Sequence, residues 1–317
     1  MKTASLYLAD APTAISAAAF SIKASDGVQL RVAAWSNPSV KAGTVFILPG
    51  RTDYIEKVAH IASAVAEYGF AAVAIDWRGQ GLSDRLTKDR LASHVERFSD
   101  YQHDVSAMVE FAEVLSLPRP WFILAYSMGA TIGLRALYEM PHQFSAAIFT
   151  GALWDIPLTA IERLGAWAIT SAFTLSGNGS TFAPGNIPQR SQSYVQSVPF
   201  DGNRLTTDPQ MFERLLRQAN RHPELSTGAP TMQWVYEALK ECRSLRLLPP
   251  PRIRCKSYLG EDDHVVSLRA IKRRMENWLG GDLQMIPGAR HDLFSEKPAI
   301  RNMIVEEAAA LFLGRSK

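Results

Sequence analysis

Between positions 44 and 150 the chain alternates short apolar runs with segments whose apolar residues recur at helical spacing. This alternation restricts the fold more than any other feature. The runs 44–48, 71–75, 121–125 and 146–150 carry no alternating polar face. A strand that is apolar on both faces must be covered on both, which places it in a parallel sheet between layers of helices. Between these runs, 54–68 sets Ile55, Val58, Ala59, Ala62 and Val65 on one helical face before Gly69, and 101–115 and 128–139 read as helices. The rhythm returns with a strand at 253–259, a helix at 267–279, a strand at 283–286 and a closing helix at 299–312. The expected class is therefore α/β, with a mostly parallel, doubly wound sheet.

Two departures from the rhythm add detail. Asp26-Gly27 separates 20–23 from 28–35, and Asp followed by Gly favours a tight turn, so the chain opens with an antiparallel hairpin. From 152 to 248 there are helical patches and no clear buried strand, and Pro249-Pro250-Pro251 then forces an extended re-entry. This divides the chain into a core, 1–151 and 249–317, and an inserted, mainly helical cap, 152–248.

Composition matters here for what it excludes. With 47% hydrophobic and 21% charged residues the chain is neither disordered nor fibrous, and a net charge of +3 with no long run of like charge gives no footprint for nucleic acid. Cys242 and Cys255 are too few for a disulfide framework, and no Cys/His cluster has metal-ligand spacing, so neither metal nor cofactor is expected. Asp10 interrupts the Ala-rich start before a signal core forms. The longest uncharged apolar stretch, 164–175, is short of the roughly 20 residues of a spanning helix. A cytoplasmic protein is expected.

The chemistry centres on Ser127, within Ala125-Tyr126-Ser127-Met128-Gly129 at the join of an apolar strand and a helix. A nucleophile on such a turn stands clear of the backbone and needs small neighbours two residues away on either side, which Ala125 and Gly129 supply. On the pentapeptide alone, Ser127 reads more readily as a helix cap. The order of later residues favours the nucleophile. Gly260-Glu261-Asp262-Asp263-His264 and Gly288-Ala289-Arg290-His291 each follow a strand end, where sites form in open α/β sheets. They offer His291 as the base and a carboxylate to orient it. Asp263 is preferred as the acid because it directly precedes the turn into the next helix, with Asp262, Glu261 and Asp155 as alternatives. The other histidines, His60, His94, His103, His142, His222 and His264, read as surface or hydrogen-bonded structural residues. An oxyanion needs backbone N–H donors, which are assigned to Met128 and to Arg51 in the loop after the first apolar run. The Arg51 side chain faces either an anionic group of the substrate or solvent.

Taken together, Leu48-Pro49-Gly50-Arg51-Thr52, Asp76-Trp77-Arg78-Gly79-Gln80-Gly81-Leu82-Ser83, the elbow at Ser127, the 260–266 loop and Pro287-Gly288-Ala289-Arg290-His291 resemble an α/β-hydrolase. The similarity is to the monoacylglycerol lipase and bacterial lysophospholipase branch. It runs from about residue 21 to residue 312, with the cap matching only in position and size. The resemblance implies Ser127 as nucleophile, His291 as general base and Asp263 as its orienting acid, with the Arg51 and Met128 amides as oxyanion hole. Two departures stand out: Pro49-Gly50-Arg51-Thr52 replaces the frequent H-G-x-G, and Tyr126 stands where His is common. Gly79-Gln80-Gly81 lacks the third glycine of a dinucleotide site.

The function expected is ester hydrolysis of single-acyl-chain lipids, monoacylglycerols or lysophospholipids, through an acyl-enzyme on Ser127. Short-chain esterase or thioesterase activity, or a non-catalytic scaffold for a hydrophobic ligand, are the alternatives. A proline-releasing peptidase is disfavoured by the missing G-G-x-P loop, and a dehalogenase by the serine itself. Gly50, Tyr126 and Trp154 are the expected substrate contacts. Leu153, Leu158, Ile161, Trp167, Ile169 and Phe173 of the cap are candidates for an acyl pocket, for transient contact with a membrane surface, or for packing within the cap.

Overall fold

A computed structural model describes residues 1–8, 16–36, 40–185 and 188–315. Asp10, and positions 186–187 of the loop at 177–188, lie outside these residues. The described strands are β1 (Lys2–Ala4), β2 (Ala17–Lys23), β3 (Gln29–Trp35), β4 (Thr44–Leu48), β5 (Ala71–Asp76), β6 (Trp121–Tyr126), β7 (Ala146–Thr150), β8 (Arg254–Gly260) and β9 (Gly281–Ile286). They form one sheet in the order β1-β2-β3-β5-β4-β6-β7-β8-β9. The first pairings, up to β3 with β5, are antiparallel, and every pairing from β4 with β5 onward is parallel. The antiparallel start and parallel body match the expected class. β1, which pairs Lys2–Ala4 with Ser21–Ala19, is an addition, because three residues at an edge are too short to leave a periodic signal.

The central strands are apolar throughout because both faces are covered. Val45, Ile47, Phe122, Leu124 and Ile148 pack with α1 (Ile55–Glu67) and α9 (Pro298–Phe312). Phe46, Leu48, Ile123, Ala125 and Phe149 pack with α2 (Tyr101–Val114), α3 (Met128–Glu139) and α8 (Leu268–Glu276). Between β7 and β8 the chain forms α4 (Ala160–Leu175), α5 (Tyr194–Ser197), α6 (Pro209–Arg221) and α7 (Met232–Leu247), with no strand among the described residues. α4 and α7 lie against each other, Trp167 meeting Tyr236 edge-on at 5.6 Å. Among the described residues no helix is long and apolar enough to cross a membrane. Cys242 and Cys255 are buried and free.

The topology fixes where a site forms. β4 has β5 on one side and β6 on the other, so the chain reverses its direction of growth there, and loops leaving the carboxyl ends of β4 and β6 face one crevice. Leu48 and Ala125 are register partners at those ends, so the loop at 49–53 and the turn at Ser127 start side by side.

The stretch 76–83 turns out to be scaffolding. Asp76 pairs with Arg31 at 2.7 Å and accepts the amides of Ile55 and Leu82, so a carboxylate sits at the amino end of α1. Arg31 also pairs with Glu56 at 2.7 Å, and Arg78 bridges Asp104 and Asp26. The Trp77 indole donates to the Pro49 carbonyl at 2.9 Å, and the Gln80 side chain accepts the Thr52 amide at 2.5 Å. The motif thus shapes the neighbouring loop at 49–52 without contributing a reacting group.

Phe122 on β6 is fully buried, stacked on Phe312 at 4.4 Å and edge-on to Phe70. Phe122→Ala is expected to lower the unfolding free energy by about 3–5 kcal/mol, read by urea titration. A loss under about 1 kcal/mol would mean that this face of β6 repacks.

Candidate active site

The site begins with a strained turn. Ser127 links β6 to α3 at φ 52 and ψ −118, a left-handed backbone that non-glycine residues rarely adopt. Its amide donates to the Thr150 carbonyl at 3.0 Å and its carbonyl accepts the Leu153 amide at 3.1 Å, which anchors the turn to the end of β7. Two residues on, a Cβ at Gly129 would stand 2.1 Å from the Leu48 carbonyl oxygen, so only glycine lets α3 pass this close to β4. Ser127 holds the N-cap position of α3, yet its hydroxyl makes no capping bond. The oxygen lies instead 2.9 Å from Nε2 of His291.

His291 follows β9, and its Nδ1 is 2.7 Å from Oδ2 of Asp263, which follows β8. The other Asp263 oxygen accepts the amides of Val265 and Val266 at 2.7 and 3.3 Å. Burial raises the Asp263 carboxyl, but the His291 hydrogen bond, its charge and these two amides outweigh it and hold the group below the ordinary carboxylate range. An ionised Asp263 can only accept, so Nδ1 carries a proton and Nε2 is left as the acceptor for the Ser127 hydroxyl. Of the other acids, Glu261 and Asp262 are exposed, and Asp155 pairs with Arg163 at 2.8 Å. None of these three bonds to His291.

The two amides expected to meet an oxyanion flank the same crevice. Met128 is the first residue of α3, so its N–H has no intrahelical acceptor. In the loop after β4, the Gly50 amide is taken by Asp53 at 2.9 Å and the Thr52 amide by Gln80, with the Arg51 amide between them. Gly50 does not line the cavity beside Ser127. A Cβ there would stand 2.7 Å from the Tyr126 ring, so its place is against Tyr126.

That cavity, about 660 Å³, is lined by Ser127, His291, Tyr126 and Arg51, with apolar walls from Leu153, Ile156, Leu158, Ile169, Met232, Trp234 and Val265. Trp154 is not among them. Its indole packs between Phe149 and Trp278 and donates to the Ala130 carbonyl, which places it in the core; Leu153 and Trp234 occupy the wall instead. His264 also lines the cavity, from an exposed position. The remaining histidines lie elsewhere. His60 and His94 are hydrogen-bonded to Phe294 and Thr231, His103 to Ser25, His222 stacks on Tyr7, and His142 is exposed. α4 lines the cavity through Ala166, Ile169 and Thr170 while Ile161, Leu164 and Leu175 are 85%, 73% and 86% exposed.

Sequence reasoning missed a buried ion triad beneath the site. Lys57 of α1 reaches Asp53 at 2.5 Å and Asp292 at 2.8 Å, with its ammonium 5.5 Å from the Tyr126 ring. Asp53 holds the Gly50 amide and Asp292 adjoins His291, so one ammonium ties the loop after β4 to the loop after β9. Burial depresses the Lys57 ammonium, but Asp292 and Asp53 more than compensate and hold it above the usual lysine range. The sequence signal was the spacing of Asp53 and Lys57, four residues apart at the start of a helix, with nothing local to point to Asp292.

Lys57→Met would leave two buried carboxylates without a cation and is expected to cost about 3–5 kcal/mol at pH 7. In that variant burial raises the folded-state carboxyl pKa above the unfolded value of about 3.9, so the penalty applies above the raised value and fades as pH falls through it. Urea titrations at pH 7 and pH 5 would therefore show the deficit shrinking; a variant as stable as wild type at pH 7 would contradict the triad's role.

The family model for Hydrolase_4, described as serine aminopeptidase, S33, matches residues 39–298. Lysophospholipase L2 of Escherichia coli (strain K12) is 30% identical over 283 residues, covering 84% of this chain and 79% of its own length. Among solved structures, a soluble variant of monoglyceride lipase from Saccharomyces cerevisiae in complex with a substrate analog superposes with a TM-score of 0.70 at 16% identity, covering 92% of this chain and 94% of its own. A thermostable carboxyl esterase from Bacillus coagulans gives 0.76 at 14% identity, over 95% and 99%. The chain belongs to the Hydrolase_4 family, within the lysophospholipase and monoglyceride lipase branch of the α/β-hydrolases.

Proposed function

We propose that this protein hydrolyses the carboxylic ester of single-acyl-chain lipids, of monoacylglycerol or lysophospholipid type, through an acyl-enzyme on Ser127. The observation that carries this reading is the hydrogen-bonded chain Ser127–His291–Asp263 opening onto a largely apolar cavity of about 660 Å³. The names of the relatives, lysophospholipase L2 above all, support a lipid ester over the peptide bond of an aminopeptidase. The cavity has the size and apolar walls to accept a long acyl chain, which favours lipid over short-chain esters.

In this mechanism the Ser127 hydroxyl oxygen attacks the ester carbonyl carbon while His291 Nε2 takes its proton. The imidazolium is stabilised by Asp263 across the 2.7 Å contact. The negative oxygen of the tetrahedral intermediate is received by the amides of Met128 and Arg51, the former at the positive end of α3. Collapse breaks the ester C–O bond, and the leaving alkoxide takes the proton from His291. Water then gives a proton to His291 and attacks the acyl carbon, and the Ser127 oxygen leaves with that proton, releasing the fatty acid. We place the segment 152–248 as a cap over the site, on the core 1–151 and 249–317. Its outward apolar residues Ile161, Leu164 and Leu175 supply a surface for transient contact with lipid.

Reaction with a fluorophosphonate, followed by peptide mapping, is expected to label Ser127 in the wild type and not in His291→Ala. Ser127→Ala is expected to abolish hydrolysis of 1-oleoylglycerol and of medium-chain p-nitrophenyl esters. Retained turnover in Ser127→Ala would refute the mechanism. An unlabelled wild-type Ser127, under conditions where a control hydrolase reacts, would favour a ligand-binding scaffold.

The acid is tested separately. Asp263→Asn is expected to lower kcat by roughly a thousand- to ten-thousand-fold, because Nδ1 loses the partner that fixes its proton. Asp262→Asn, on an exposed side chain, is expected to leave kcat within about threefold of wild type, since surface substitutions away from special features have small effects. The reverse ranking in steady-state kinetics would reassign the acid.

A further inference from the structure

The cavity beside Ser127 carries positive charge that the reaction of a neutral ester does not require. The Arg51 guanidinium lines it, donates through Nη1 to the Gly228 carbonyl at 2.8 Å and lies 5.4 Å from the centroid of the Trp234 ring. Among the described residues no carboxylate pairs with it, and one carbonyl satisfies only part of its five-donor fork. Burial lowers its pKa to about 10, which still leaves it charged at neutral pH. Arg204, exposed at the same cavity, also has no ion pair among the described residues. Asp53 is the only acidic residue among the described lining residues; it pairs with Lys57, an ammonium it shares with Asp292, and acts on Arg51 from beyond ion-pair distance.

Arg51 is half-buried and no described carboxylate stands at ion-pair distance from it, so its guanidinium is open to an anion that a ligand supplies. The opposite walls, Leu153, Ile156, Leu158 and Ile169, are apolar. The cavity therefore combines a wall suited to an acyl chain with a planar, charged fork suited to phosphate, which guanidinium binds through two parallel hydrogen bonds. A glycerol head, neutral and small, has no use for that charge. We propose that Arg51 receives the phosphodiester of a single-acyl glycerophospholipid, so that the enzyme favours lysophospholipids with an anionic head over monoacylglycerols, with Arg204 adding positive potential to the cavity. This rests on the ester-hydrolase reading above. A role for Arg51 confined to tethering the loop after β4 to Gly228 would affect all substrates alike, which gives the test its contrast.

The experiment compares kcat/KM for 1-oleoyl-lysophosphatidylglycerol and 1-oleoylglycerol in the same non-ionic detergent micelles, for the wild type, Arg51→Gln and Arg51→Lys. The ratio of the two values is expected to favour the phospholipid in the wild type, to fall by roughly 10- to 100-fold in Arg51→Gln and to recover in part in Arg51→Lys. A ratio unchanged in Arg51→Gln overturns the proposal, however far both activities drop. Inorganic phosphate that inhibits the wild type equally on both lipids, and spares Arg51→Gln, would assign Arg51 to free phosphate and overturn it as well. If the wild type hydrolyses neither lipid, the ester-hydrolase reading fails. Calorimetric binding of lysophosphatidylglycerol to Ser127→Ala and to Ser127→Ala/Arg51→Gln then decides Arg51 by itself, weaker binding in the double variant supporting the proposal and equal binding refuting it.

Discussion

The approach of α3 to the carboxyl end of β4 governs the geometry of the site, because it leaves no room for a side chain at Gly129 and drives Ser127 into a left-handed backbone. A residue held at φ 52 between a strand and a helix cannot relax without breaking the register of β6 against β4 and β7. The strain is therefore borne by the packing of the whole sheet, and its effect is to lift the Ser127 oxygen toward His291. The same approach brings the amino end of α3 beside the loop that leaves β4, so the Ser127 oxygen and the backbone of that loop are positioned by one contact.

Around that contact, buried polar groups are used to fix loops. Asp76, Trp77 and Gln80 hold the amino end of α1 and the backbone of Pro49 and Thr52. The Lys57 triad joins the loop after β4 to the loop after β9. Buried ions contribute little net stability when replaced as a unit, yet a missing partner is costly, so such clusters restrict loops to one arrangement. The triad ends at Asp292, next to His291, and the Gln80 side chain also reaches the sulfur of Met128, next to Ser127.

The segment between β7 and β8 is tied to the His291 loop by backbone. His291 and Asp292 donate their amides to the carbonyls of Arg204 and Leu205, and the Thr206 hydroxyl donates to the Ser295 carbonyl. Residues that wall the cavity and residues that hold the imidazole therefore share one hydrogen-bonded patch. α7 is tied to the core as well, Glu241 pairing with Arg135 at 2.7 Å and Glu237 accepting the Phe98 amide at 3.1 Å.

The sequence by itself determined the class of fold and the order of its central elements, because strands covered on both faces and helices with one apolar stripe leave periodic patterns that local reading recovers. It also singled out Ser127, Asp263 and His291 as candidates, since each stands just past a strand end where an open sheet gathers its loops. Tertiary structure decided the rest. Which acid of 261–263 meets His291 depends on a turn that buries Asp263 and leaves Glu261 and Asp262 in solvent. Whether Leu153 or Trp154 walls the cavity depends on which way adjacent residues point, and an irregular segment has no period to say. Asp292 is brought to the local pair Asp53 and Lys57 from far along the chain, and the distance between side chains on separate elements is not encoded in any local pattern.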